Sequence, residues 1–137
     1  MAILILIEML FLHVFADYQL QGILANMKQK EWWIKQTSNV VEINKSQYKN
    51  DYKAALVAHS LEWSFVVLFP MFYHATKLPI DSIILYVTLL IWNTDFHYMV
   101  DDSKANKKML NLVEDQIMHL GQILVSWLLW TVLIGWR

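Results

Sequence analysis

The chain has 137 residues, 57% of them apolar and 17% charged, and 11 basic side chains face 12 acidic ones for a formal charge of −1. The mean hydropathy of +0.34 excludes a disordered tail or flexible linker, and the near-neutral balance excludes a general nucleic-acid binder. There is no cysteine, so disulfides and thiolate metal sites are excluded and only imidazoles and carboxylates can hold a metal.

Four apolar stretches follow, at residues 2–25, 53–75, 80–104 and 110–136, each close to the roughly 20 residues that cross a bilayer. Each is too long for a buried strand, and a spanning segment must satisfy its own backbone groups, so all four are expected to be helices. The predicted fold is all-α, one domain, a four-transmembrane-helix bundle running up-down-up-down. Segment one lacks a basic start and carries Glu8, His13 and Asp17, which argues against a cleaved signal peptide. The polar stretch 26–52, with Trp32-Trp33-Ile34 and Val40-Val41-Glu42-Ile43 among lysines, suits an interfacial loop. Pro70 is placed to bend or end segment two, and Pro79 to open segment three.

Lys28, Lys30, Lys35, Lys45, Lys49, Lys53, Lys104, Lys107 and Lys108 fall on one side of such a bundle, and Lys77 and Arg137 on the other. The positive-inside rule then puts the 26–52 loop and the tight turn at 105–109 in the cytoplasm and both termini outside the bacterial inner membrane.

Charged side chains inside these segments need an explanation, because each costs on the order of 2.5–3.5 kcal/mol at a helix centre. They are His13 and Asp17, His59 and Glu62, His97 and Asp101, and Asp115 and His119. Three of the four pairs are spaced i, i+4, which puts both members on one helix face. At 1.5 Å per residue, Asp17 lies roughly 12 Å, His59 roughly 9 Å, His97 roughly 10 Å and Asp115 roughly 10 Å from the cytoplasmic end of its segment. The groups are therefore expected to meet at one level.

His13, Asp17, His59, His97, Asp101, Asp115 and His119 are the expected metal ligands, with Glu62 as an eighth candidate. That set exceeds one tetrahedral site and points to two divalent ions, of zinc, manganese or iron. Two such ions suit hydrolysis of a phosphoester, pyrophosphate or lipid-linked phosphate, with Glu62, Asp101 or Asp115 as proton acceptor. Lys104, seven residues after His97, is placed to meet an anionic substrate. Rival readings are an ion or proton translocator, a structural metal site, a di-iron oxidative enzyme and a holin-like pore. The translocator is disfavoured by the few polar residues expected in the outer half, and the oxidative enzyme by the lack of Glu-x-x-His.

Outside the constellation, His74 reads as interfacial, Glu8 as a partner for a neighbouring helix, and Asp95 and Asp102 as solvated or capping groups. Trp127, Trp130 and Trp136 read as an outer aromatic belt and the seven Met as packing.

The pattern His13-x3-Asp17-x3-Gln21, a lone His59, His97-x3-Asp101-x2-Lys104 and Asp115-Gln116-x2-His119 resembles the DUF3307 family of small bacterial and phage membrane proteins. It is also similar, more broadly, to membrane-bound metal-dependent hydrolases. The resemblance covers all four segments and implies that Gln21, Lys104 and Gln116 belong to the site, as substrate-binding positions beside the ligands. It names no substrate, and it leaves homo-oligomers open.

Overall fold

The computed structural model describes residues 2–39 and 46–134. Val40-Val41-Glu42-Ile43, Lys45, Trp136 and Arg137, which the sequence reading used, lie outside the described residues. Helix α1 (Ala2–Phe15) runs without a break into one π-helical turn, Ala16–Leu20. The short α2 (Leu24–Met27) and α3 (Lys30–Gln36) follow, then α4 (Asp51–Val67), α5 (Phe69–Ala75), α6 (Ile80–Ala105) and α7 (Leu112–Leu133). Among the described residues every regular element is helical.

Helix α1 with its π turn, α6 and α7 are each long and apolar enough to cross a membrane, and α4–α5 adds a fourth span if the bent pair counts as one. The bend is 58°. It falls at Leu68, two residues before Pro70, which has no N–H to donate and whose ring crowds the carbonyl one turn earlier. Segment one stops at Leu20, not at residue 25. Gly22 has φ +47, a left-handed value that glycine adopts without a Cβ penalty, and the chain turns there toward α2. Helix α7 starts under a capping box: Asn111 accepts from the Glu114 backbone N–H at 3.0 Å, and the Glu114 carboxylate accepts from that of Asn111 at 2.8 Å.

Helices α1, α4, α6 and α7 pack in a ring of neighbours, α1 on α4, α4 on α6, α6 on α7 and α7 on α1. The distribution of polarity is the reverse of a water-soluble domain. Ile3, Leu4, Ile7, Phe11 and Val14 of α1, and Val113, Ile117, Leu128 and Val132 of α7, are exposed, whereas four His, two Asp, Asn93 and Gln122 are buried. An apolar exterior of this extent belongs in lipid. At one end the interior is conventional, with Met9, Trp63, Val67, Met71, Ile123 and Trp130 in one cluster. Trp130 is thus core and not part of an aromatic belt, and Trp127 donates to the Ala2 carbonyl at 2.7 Å. Met9 and Met71 pack inside, but Met99 and Met109 are exposed.

Candidate metal centre

The buried polar cluster draws on the C-terminal end of α1, the N-terminal half of α4, the C-terminal end of α6 and the N-terminal end of α7. His97, fully buried, stands at its middle, its ring stacked on both Trp63 (centroids 4.3 Å) and His119 (4.2 Å), which also touch each other at 5.4 Å. Its Nε2 lies 3.3 Å from Nε2 of His59 and 3.7 Å from Oδ2 of Asp101. Asp101 also lies 3.4 Å from Nε2 of His59 and, through Oδ1, 3.5 Å from Nε2 of His119. Three imidazole nitrogens therefore turn toward one carboxylate.

Among the described residues two groups have ligand atoms close enough to share an ion, Asp17–His59–His97 and His97–Asp101–His119. They share His97. Nε2 can serve one ion only, so the two groups are overlapping choices for a single ion more naturally than two separate sites. The donors fit a divalent metal. Nε2 of His119 and Oδ1 of Asp115 are buried without a hydrogen-bond partner, 3.4 Å apart, and a mixed imidazole and carboxylate set suits zinc, manganese or iron.

His13 is a predicted ligand that the structure employs otherwise. Trp63 Nε1–H, a donor only, points at its Nδ1 at 3.1 Å, so the ring proton must sit on Nε2, which donates to Oε1 of Gln116 at 3.1 Å. Both ring nitrogens are committed. The Gln116 amide nitrogen then faces two carboxylates, Oδ2 of Asp17 at 3.0 Å and Oδ2 of Asp115 at 3.1 Å. Gln116 is thus a clamp that orders His13, Asp17 and Asp115, a role its expected place beside substrate did not suggest. Asp17 itself lies in the π turn, Ala16–Leu20.

Asp115 stands next to the ligand groups, its Oδ2 2.5 Å from Nζ of Lys104. Glu62 is half-buried and makes no ion pair or hydrogen bond with the cluster; Trp63, its neighbour, occupies the inward position. Both i+3 and i+4 neighbour His59 on the helix surface, and the packing of the bundle buries Trp63 in preference to Glu62. His74 sits apart beside Tyr73, and Glu8 lines a groove with Phe11, Phe69 and Tyr73 without an ion pair. Asp102 caps the end of α6, accepting from Asn106 at 2.9 Å and pairing with Lys107 at 2.9 Å, and Asp95 is exposed.

Two features had no expectation attached. Lys28, treated as one more loop lysine, reaches in to Oδ2 of Asp101 at 2.6 Å. Asn93, Gln122 and Ser126 form a buried network one turn outward of His97 and His119: Asn93 donates to Ser126 at 2.9 Å and Gln122 donates to the Asn93 carbonyl at 2.7 Å. The i−4 spacing of Asn93 from His97 was a visible signal. The outer half is accordingly less apolar than the case against a relay assumed.

Beside the cluster a pocket of about 390 Å³ opens, lined by Asp17, Tyr18, Gln21, Lys28, Asp101, Lys104, Lys108 and Gln116 among others. It holds Gln21, Lys104 and Gln116, the three expected substrate-side residues. No family model, curated protein or solved structure matches the chain.

Proposed function

We propose that the protein is a membrane-embedded, metal-dependent hydrolase acting on an anionic phosphate-type substrate at the cytoplasmic face of a bacterial inner membrane. The observation that carries it is the convergence of His59, His97 and His119 Nε2 on Asp101, at the wall of a lysine-bearing pocket. His97, Asp101 and His119 would hold one divalent ion, with His59 and Asp17 in reach of His97 as alternate ligands; this replaces the two ions expected from the ligand count. Bound there, zinc, manganese or iron supplies Lewis acidity and a water that ionises near neutral pH.

The chain's own groups do the rest. Lys104 and Lys108 orient the anion, and Gln116 holds Asp17 and Asp115 in place. Oδ1 of Asp115, buried and without a donor, is positioned to accept a proton beside His119. The ring of helix contacts, with ligands late in α1 and α6 and early in α4 and α7, supports four antiparallel spans with the site at the lysine-rich end. The residues of the DUF3307-like pattern all fall in the cluster or its pocket, which supports that kinship too.

Elemental analysis of detergent-purified protein tests the reading. About one metal per chain, lost in the His97→Ala variant, is the expected result, and full stability and phosphatase activity in metal-free protein would sink it. The Asn93–Gln122–Ser126 network favours one second reading, a proton or ion translocator, which proteoliposome flux abolished in Asp17→Ala would establish instead.

A further inference from the structure

Two lysines stand on the border between the cluster and the pocket. Lys28, its side chain 12% exposed, comes from the turn after α2 and pairs with Asp101; Lys104, 35% exposed, comes from α6 and pairs with Asp115. Both also line the pocket. Leaving the imidazoles aside, the region holds three carboxylates, Asp17, Asp101 and Asp115, against these two ammoniums and that of Lys108 at the rim, which donates to the Ala105 carbonyl. In this arrangement Asp101 and Asp115 hold the two inner ammoniums, and only Lys108 is left without a carboxylate partner in the pocket to attract an anion.

A divalent cation changes that balance. In the His97–Asp101–His119 group it takes Asp101 as a ligand and so competes with Lys28 for that carboxylate, and it adds two positive charges to a low-dielectric site where charges act strongly. We propose that Lys28 and Lys104 are exchangeable counterions: they hold Asp101 and Asp115 until a divalent cation binds, then turn into the pocket and grip a phosphate-type oxyanion. Cation and anion would therefore bind cooperatively, each tightening the other by the same factor. The inference rests on the metal-centre reading above and deepens it by naming the anion's holders and the order of events.

A phosphate group suits the lining better than a single carboxylate. Lys28 approaches from the turn after α2, Lys104 and the rim residue Lys108 from the end of α6 and the turn behind it, and the Gln21 side chain adds an amide. Several oxygens can then be met at once, whether the phosphate is carried by a lipid or by a soluble ester.

The test measures binding, not turnover. Calorimetric titration of the full chain with methylphosphonate, with and without Zn²⁺, is expected to show affinity rising at least about tenfold with the metal, and zinc affinity rising equally with the phosphonate. The same coupling with phosphatidic acid in phosphatidylcholine nanodiscs identifies a lipid source; coupling with the soluble anion alone identifies a cytoplasmic one. In Lys28→Met, zinc binding is expected to hold or tighten while the metal-dependent anion affinity falls; Lys28→Arg keeps both. Zinc that binds while methylphosphonate and phosphatidic acid bind equally well without it overturns the exchange and leaves the metal centre standing. A Lys28→Met chain that loses zinc while Lys28→Arg keeps it makes Lys28 a structural prop and overturns the exchange as well. A chain that binds none of Zn²⁺, Mn²⁺ or Fe²⁺ overturns the metal centre itself.

Discussion

His97 and His74 are both histidines in apolar helices, and their surroundings set them apart. His97 is enclosed by Trp63, His59, His119 and Asp101, whereas His74 touches Tyr73 away from any carboxylate. His97→Ala should lose the bound metal and His74→Ala should keep it, as metal analysis of purified variants would show; equal content in both refutes the assignment. Trp63 contributes a ring to His97 and an N–H to His13. Trp63→Phe keeps most of the ring and removes the donor, leaving Nδ1 of His13 buried and unpaired, a loss of about 1–3 kcal/mol. Reversible unfolding in mixed micelles would read that cost, and a change within experimental error would mean that the His13 tautomer is set by Gln116 alone.

At the scale of elements, the α6–α7 contact is held by polar groups inside an apolar pair. In lipid, helix association gains little from burying more hydrocarbon, so buried amides and small hydroxyls act as the adhesive. Asn93→Ala removes the side-chain amide that bonds Ser126 across the helix pair, while Gln122 keeps the backbone carbonyl of residue 93 and Ser126 keeps that of Gln122; the expected cost is about 1 kcal/mol, measured by the same unfolding assay. Gly22 governs a different element, the turn that leads Lys28 back over the site. A Cβ there would meet only the Leu20 carbonyl at 3.8 Å, so Gly22→Ala costs backbone strain alone, about 1–2 kcal/mol. Its readable consequence is a shift in zinc affinity, because moving the turn loosens the Lys28–Asp101 pair; unchanged zinc binding would uncouple the turn from the site.

For the whole molecule, a ligand that binds only the folded chain stabilises it by mass action, about 2.7 kcal/mol at a hundredfold excess over Kd. Zinc or manganese should raise the melting temperature and a chelator should reverse the rise; melting indifferent to both would separate the fold from the ion. Because the chain has no cysteine, single-cysteine variants report topology cleanly. Lys49→Cys and Lys107→Cys should react with an impermeant thiol reagent from one side of sealed vesicles, and Lys77→Cys from the other. Labelling of all three from one side would contradict the alternating spans.

The sequence by itself determined that the chain is helical and rich in membrane-length apolar segments, four in its reading where the structure has three, or four with the bent pair, and it singled out the His/Asp pairs toward one end of those segments. Those facts depend on local periodicity and on the cost of charge in hydrocarbon, both readable from neighbours in the chain. Segment one's true end could have been suspected from Gly22, but the π turn could not, because i→i+5 bonding arises from packing and leaves no local signature. Only the tertiary structure decided which of the seven candidate ligands face one another. It turned His13 to Trp63 and Gln116, left Glu62 outside, and brought Lys28 onto Asp101 across 73 residues of chain. Spacing along a helix fixes a face, but which partner that face meets depends on helix rotation and on donors from other helices, and those are set when the rods pack.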